Sequence, residues 1–316
     1  MIDNRFALNE CLGIGGSSKV YSARDSTNKD FALKIIRKDK GYSEDLSKNL
    51  VENEFGVMTR LGAHPNIVNW VGANSEGTAA LADGVHSIRY LVLECCKHGS
   101  LSSVIRQTGP LEETVAKFLF LQLWHATRFI HEKSYAHLDI KLENILLDDC
   151  FNIKLADLGT AIDIGESLGF TDKKRGTMVY MAPEMKNKQP DDMVDATIAD
   201  VYSLGVCLHL LLTAEFPTEN EFNTDFSSME TESSTDLKSV EKLGIVKSRL
   251  KYLSEDARDF LEEMLEDNAF FRLSIDEVIQ HPWLKDFDYS GVQNEVYSEM
   301  ASRMELINKL QPIRQE

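Results

Sequence analysis

Positive charge is in short supply in this 316-residue chain, where 34 Lys and Arg stand against 51 Asp and Glu for a formal net charge of −17. So acidic a surface repels phosphate backbones and anionic headgroups, which argues against general binding to nucleic acid or to a membrane and leaves basic proteins or peptides as natural partners. Paired cysteines are lacking as well. The five present (Cys11, Cys95, Cys96, Cys150, Cys207) have no C-x-x-C spacing and are odd in number. They suggest neither a disulfide framework nor a zinc site, and they point to a reducing compartment, the cytosol or nucleus. The opening "MIDNRFALNE" has no basic start followed by an apolar core, and no Gly at position two, so neither a secretory signal nor myristoylation is expected. The most apolar run, Val201 to Leu212, is too short to span a bilayer and reads as a buried helix. No D-x-D-x-D-G loop is present, so direct Ca²⁺ binding is not expected, and no fixed-period repeat is visible.

With 43% hydrophobic and 27% charged residues the chain has the composition of a soluble globular protein. Its first hundred residues hold short runs suited to strands, "FALNECL", "KVYSAR", "DFALKII", "IVNWVG" and "IRYLVLE", with Gly, Asn and Asp between them, as in an antiparallel sheet. One helix interrupts them between Glu44 and Leu61, where Leu50, Val51, Phe55, Met58 and Leu61 keep a helical spacing despite Gly56. After "KHGSL" helices dominate: "LEETVAKFLFLQLWHATRFIHEK" lines up Val115, Phe118, Leu119, Leu123, Ala126, Phe129 and Ile130 on one side. The expected class is α+β, with a small β-rich lobe over 1–93, a connector over 94–100, a helical lobe over 101–285 and a helical tail over 286–316.

Phosphate chemistry enters at "LGIGGSSKVYSA". Gly13, Gly15 and Gly16 lie between two strand-like runs, where a turn can close over a polyphosphate and offer backbone N–H groups to its oxygens. An ordinary hairpin turn would read the same way. In the following strand, "FALK", Ala32 leaves room for a flat base and Lys34 could reach phosphates, although an isolated Lys in a strand is usually a solvated edge residue.

Taken in order over residues 6 to 285, these motifs resemble the eukaryotic protein kinase family. Gly13-x-Gly15-x-x-Ser18-x-Val20 is similar to its glycine-rich loop with Ser18 in place of the third glycine, and Lys34 matches its strand lysine. The resemblance implies a helix glutamate as partner for Lys34, Glu54 first and Glu52 as the alternative. In "YAHLDIKLENILLDD" it implies Asp139 as the base that orients the attacking hydroxyl, Lys141 as the group that steadies the transferring phosphate, and Asn144 as a Mg²⁺ ligand. "LADLGT" implies Asp157 as the second metal ligand, with Leu158 where the family has Phe. "GTMVYMAPE", "DVYSLGV" and "FFRLSIDEVIQHPWL" imply a Glu184–Arg272 pair and an Asp200 that bonds back to the catalytic loop. The connector "LVLECCKHGSL" becomes a hinge in which Leu93 gates the rear of an adenine pocket. The Glu94 carbonyl and the Cys96 backbone would hold the base there, with Leu12, Val20, Ala32 and Leu146 sandwiching it.

The implied fold is bilobal, and the implied activity is Mg²⁺- and ATP-dependent phosphorylation of protein substrates, with a weakly active or non-catalytic scaffold as the alternative. Lys141 two residues after Asp139 favours Ser/Thr substrates over Tyr. "GAHPNIV", "KLENILL" and "HPWL" look most like the calcium/calmodulin-dependent kinase group. Glu143 stands where related kinases contact a basic residue upstream of the target. Two departures from the family go together: Leu138 replaces the Arg that receives an activation-loop phosphate, and Lys173 stands where the phosphorylated Thr would be. Activity is therefore expected not to depend on phosphate there. Thr160, Ser167 and Thr171 are left as modification sites, and Thr177 is expected to bond near Asp139 and Lys141. The acidic stretch 218–238 reads as an inserted surface loop. The tail spaces Val296, Met300, Met304, Ile307 and Leu310 as one helix face, and with Glu295, Glu299 and Glu305 it suits packing on the helical lobe better than calmodulin binding.

Overall fold

The structure, a computed structural model, describes residues 1–81, 83–218 and 249–310; the acidic stretch from residue 219 onward and the last six residues lie outside the described residues. Five antiparallel strands open the chain: β1 (Ala7–Ile14), β2 (Ser18–Arg24), β3 (Asp30–Ile36), β4 (Trp70–Leu81) and β5 (Gly84–Glu94), in the order β1-β2-β3-β5-β4. Between β3 and β4 runs helix α1 (Glu44–Leu61). Ser43 caps it by accepting from the Leu46 N–H, Glu44 and Asp45 complement its dipole, and it ends at Gly62, whose φ of +78° suits only glycine well. Val51, Glu54, Val57, Met58 and Leu61 are buried, while Leu50 and Phe55 of the expected face are half-buried against the same core.

The run "IVNWVG" is not a strand of its own. β4 begins only at Trp70 and continues with β5 into a hairpin longer than expected. Ile67 and Val68 leave the sheet to meet Leu155, Val68 N donating to its carbonyl, so their apolar side chains serve the junction of the two lobes. The outer face of the sheet carries a second core of Ile2, Phe6, Ala23, Phe31, Leu33, Ala79, Tyr90 and Val92. Residues 1–6 fold back to close it. Asp3 accepts from Thr78 N at 2.6 Å, Asn74 Nδ2 at 2.7 Å and the Tyr90 hydroxyl at 2.6 Å.

The remainder is mainly helical: α2 (Leu101–Thr108), α3 (Glu113–Glu132), α4 (Pro183–Lys186), α5 (Ala196–Thr213), α6 (Glu255–Met264), α7 (Ile275–Val278), α8 (Pro282–Lys285) and α9 (Gln293–Leu310). Three two-stranded pairs tie its loops down: β6 (Tyr135–Ala136) with β9 (Ile162–Asp163), β7 (Ile145–Leu147) with β8 (Ile153–Leu155), and β10 (Phe170–Thr171) with β11 (Val194–Asp195). Helix α5 is apolar all round because it is the core of this half, and Asp195 caps it through the Thr197 and Ile198 N–H groups. Gly205 lets α6 come close, since a methyl there would lie 3.0 Å from the Met264 Cβ. Helix α9 packs on α2 and α3 with Val296, Met300 and Ile307 buried and Met304 half-buried. Leu310 breaks the expected face: it is 59% exposed, at the helix's last turn.

Candidate active site

The junction of the two halves gathers the ionisable residues singled out in the sequence. β3 carries Lys34 into the interior, where its ammonium lies 2.8 and 2.7 Å from the two carboxylate oxygens of Glu54 on α1 and 2.7 Å from Oδ1 of Asp157. Glu52, the alternative partner, points elsewhere and accepts from Ser75 at 3.1 Å. Burial opposes the charge of Lys34, but Glu54 and Asp157 outweigh it and hold the ammonium's pKa above the usual lysine range. Burial likewise works against Asp157, and the charge and hydrogen bond of Lys34 overcome it, leaving that carboxyl below its ordinary value. For Glu54 burial prevails and raises the pKa. Asp157 itself adopts a left-handed conformation (φ 65°, ψ 71°), and Leu158 after it is buried beside Met58 and Leu61.

The loop between β6 and β7 is held from beneath by Asp200 on α5. Its carboxylate accepts from the backbone N–H groups of His137 and Leu138, both at 2.8 Å, and lies 2.9 Å from His131 Nε2. Leu138 is only 6% exposed and joins the main core, yet its φ is +60°, a conformation that costs a non-glycine residue about 1–3 kcal/mol. Asp139 follows directly and is itself buried, at 8% exposure. Its Oδ1 accepts from the Thr177 hydroxyl at 2.7 Å and Oδ2 from Lys141 Nζ at 2.6 Å, while Lys141 also donates to Thr177 at 2.8 Å. Asn144 Nδ2 donates to the Asp139 carbonyl at 2.9 Å. That leaves the Asn144 amide oxygen, with the second oxygen of Asp157, as hard donors without a hydrogen bond among the described residues. Such a pair fits a cation such as Mg²⁺.

Above these groups β1 and β2 form the roof. Gly13 lies in β1 opposite Val20, and Val20 pairs in register with Lys34, so the expected glycine loop is confined to the turn 15–17. Gly15 N donates to the Ser18 carbonyl, and Gly16 has open space where a side chain would be. Ala32 pairs with Leu93 across β3 and β5, both buried. Val20 and Leu146 are half-buried, Leu146 bridging to Ser100 at the end of the hinge, and Leu12 stands 47% exposed at the rim. The Glu94 side chain turns away to Asn69 N (2.7 Å) and Lys154 (3.1 Å). Burial pushes the Cys96 thiol up to about 12.

On the outer side of Asp139, both oxygens of Glu143 are engaged, by Ser102 at 2.9 Å and by the Tyr180 hydroxyl at 3.0 Å. Arg272 holds Glu184 bidentately at 2.6 and 2.9 Å. Of the candidate modification sites, Thr171 is buried in β10 and Thr160 donates to the His137 carbonyl. Met178 and Val179 are exposed beside Thr177.

Several positioning residues carry no local signal. Arg37 Nη1 holds the Gly15 carbonyl at 2.9 Å. Gln122 Oε1 accepts from Asn66 Nδ2 and from Ile153 N, while its Nε2 is 2.6 Å from the Tyr289 hydroxyl. Tyr297 of α9 meets Phe151, which stacks on His98 of the hinge. These join elements up to 167 residues apart, a distance that no spacing reveals. The polar residue types of Arg37 and Gln122 were the only clue.

A model of the protein kinase domain matches residues 6–284. Among curated proteins, the chain is 33% identical over 309 residues to CBL-interacting protein kinase 22 of Oryza sativa subsp. japonica, covering 90% of this chain and 62% of that protein. It is 30% identical over 289 residues to CBL-interacting protein kinase 2 of the same organism, covering 90% and 59%. Testis-specific serine/threonine-protein kinase 3 of Mus musculus is 31% identical over 286 residues, covering 90% of this chain and 97% of the relative. The chain thus spans about three fifths of the rice proteins' length.

Proposed function

This chain belongs to the protein kinase family, and on that premise we propose that it transfers the γ-phosphate of ATP to Ser and Thr hydroxyls of protein substrates. The observation that carries the reading is the Asp139 carboxylate, fixed by Lys141 and Thr177 at 2.6 and 2.7 Å on the same floor as the Lys34–Asp157 pair. Asp139 orients the substrate hydroxyl and accepts its proton, and it needs no reorganisation because its neighbours already hold it. Lys141 and Lys34 place positive charge where the moving phosphoryl group and the nucleotide phosphates are negative. Glu54 keeps Lys34 aimed. Asn144 and Asp157 would hold Mg²⁺, which neutralises phosphate charge when bound. Val20, Ala32 and Leu146 would enclose the purine, and the backbone of Glu94 and Cys96 would hydrogen-bond its edge.

Glu143, exposed at the outer side, favours a basic residue upstream of the target. Leu138 buried in the core, together with the β10–β11 pair, supports a substrate-docking segment that is ordered without a phosphate. The decisive experiment compares Asp139→Asn with the unmutated chain on a Ser peptide with Mg-ATP. The expected result is a fall in kcat of about a thousandfold or more with nucleotide affinity kept, since the lost group acts on the chemical step. Equal rates would refute the role of Asp139. Nucleotide binding without transfer in either protein would favour a scaffold.

A further inference from the structure

Positive charge, scarce overall, gathers in the segment around Thr177, the residue that donates to Asp139. Residues 173 to 188 hold five basic side chains, Lys173, Lys174, Arg175, Lys186 and Lys188, and one acidic, Glu184, whose carboxylate is occupied by Arg272. None of the five forms an ion pair among the described residues. Lys174 Nζ donates to the Lys186 carbonyl, Arg175 Nη1 to the Thr160 carbonyl at 3.3 Å, and Lys188 Nζ to the Gln189 carbonyl at 2.9 Å. Lys186 lies over the Tyr202 ring at 5.8 Å. A carbonyl satisfies a donor but leaves the charge uncompensated. Elsewhere surface cations do find carboxylates, as Arg24 does with Asp30, Arg37 with Asp39 and Lys97 with Asp149. Shortage of acid is not the reason here, because Asp172, Asp191 and Asp192 border the stretch and take none of these cations as an ion-pair partner among the described residues.

Two anchors fix where this charge stands. Thr171 is held in the β10–β11 pair, and Thr177 donates to Asp139 at 2.7 Å. Lys173 and Lys174 lie between them, and at no more than about 3.6 Å per residue their Cα atoms are within about 14 Å of Thr177. An extended peptide advances about 3.3 Å per residue, so positions two to four away from a hydroxyl seated at Asp139 come within reach of these side chains. We propose that this cationic rim selects substrates with an acidic side chain two to four residues from the target hydroxyl. The inference rests on the transferase reading above and gives it a substrate class: a bipolar peptide, basic toward Glu143 and acidic toward Lys173 and Lys174. In a chain of net charge −17 the rim is also the place where an acidic substrate would meet least repulsion.

The test is a positional scan with the full chain, shown unphosphorylated by intact mass. A neutral Ser peptide is compared with versions carrying a single Asp at each position from five before to five after the Ser. The expected result is a rise in kcat/KM of roughly three- to tenfold at one or more positions on one flank, shrinking in 0.5 M salt, as for exposed opposite charges. The ratio of Asp peptide to neutral peptide should fall to one or below in Lys173→Glu. It should fall likewise in Lys173→Glu/Lys174→Glu, the single variant guarding against loss of the Lys174–Lys186 contact. Transfer without an Asp gain at any position, or a ratio unchanged in both variants, overturns the inference and leaves the transferase reading intact. Should no peptide be phosphorylated, the transferase reading fails, and fluorescence anisotropy of the labelled peptides decides the rim separately: equal affinity for acidic and neutral peptides overturns it.

Discussion

Gly176 sits directly under the carbonyl of Leu138, so close that a methyl group at Gly176 would stand 2.3 Å from that oxygen, and its φ of +109° is open to glycine alone. The strained residue before Asp139 and the residue before Thr177 are therefore a single close-packed contact. Gly176→Ala must push either Leu138 or Thr177 away, and with it the hydroxyl that Asp139 and Lys141 share. The expected outcome is a loss of kcat of at least about tenfold, checked by steady-state kinetics beside a thermal melt to show that the fold persists.

Phosphate on the segment 160–176 should be dispensable. Leu138 cannot receive a phosphate, and the segment is already pinned by the Phe170–Asp195 and Thr171–Val194 pairings and by Arg175 on the Thr160 carbonyl. Phosphatase-treated chain, verified by intact mass, should keep its peptide rate within about twofold. Loss of most activity, restored by a phosphate mapped to this segment, would show that the pinning is insufficient.

The polar residues that the structure brings together at the lobe junction, Lys34, Asp139, Lys141, Asn144 and Asp157, were legible in the sequence because the chemistry proposed for them dictates both type and spacing. Helix α1 was legible for a different reason, since its apolar period is local. What escaped notice was set by distant partners. Ile67 and Val68 read as strand but serve Leu155, and the continuation of β4 through Ala73–Leu81 has an exposed, polar pattern that only its pairing with β5 turns into strand. Arg37, Gln122 and Asp3 belong to no motif in the sequence, and their partners lie far along the chain.

The Lys34–Glu54 pair predicts an unusual pH response in a variant. Glu54 is buried, and its pKa is already raised by that burial. In Lys34→Met the neutralising ammonium is gone, so the carboxyl rises further. A carboxyl with a raised folded pKa favours its protonated form: its contribution is full below the unfolded value near 4.5 and is lost as pH climbs through the folded value. Lys34→Met should therefore be least handicapped at pH 5 and most at pH 8, where leaving the buried charge unpaired costs about 3 kcal/mol or more. Urea melts of both proteins at the two pH values check this; a stability gap that is constant or narrows toward pH 8 would contradict it.

Asp3 offers the opposite sign. Burial works to raise its carboxyl, but hydrogen bonds from Tyr90, Thr78 and Asn74 prevail and lower it. A depressed carboxyl stabilises the fold above its unfolded pKa, about 3.9, and that contribution is lost as pH falls through the folded value. The same carboxylate holds residues 1–6 over the outer core, where Gly77 alone makes room, since a methyl there would lie 2.5 Å from the Tyr90 ring. Asp3→Ala should thus lose about 2 kcal/mol at pH 7, the magnitude of hydrogen bonds to a charged group. The gap to the unmutated chain should close as the pH is lowered below 4. Because Ile2 and Phe6 would be released together with Asp3, amide exchange at Thr78 and Ala80, whose N–H groups are held by this cap, should accelerate far more than at Leu33 in the centre of the sheet. Uniform acceleration across all three would mean that the cap is not a separate unit and that Asp3 acts on the whole lobe.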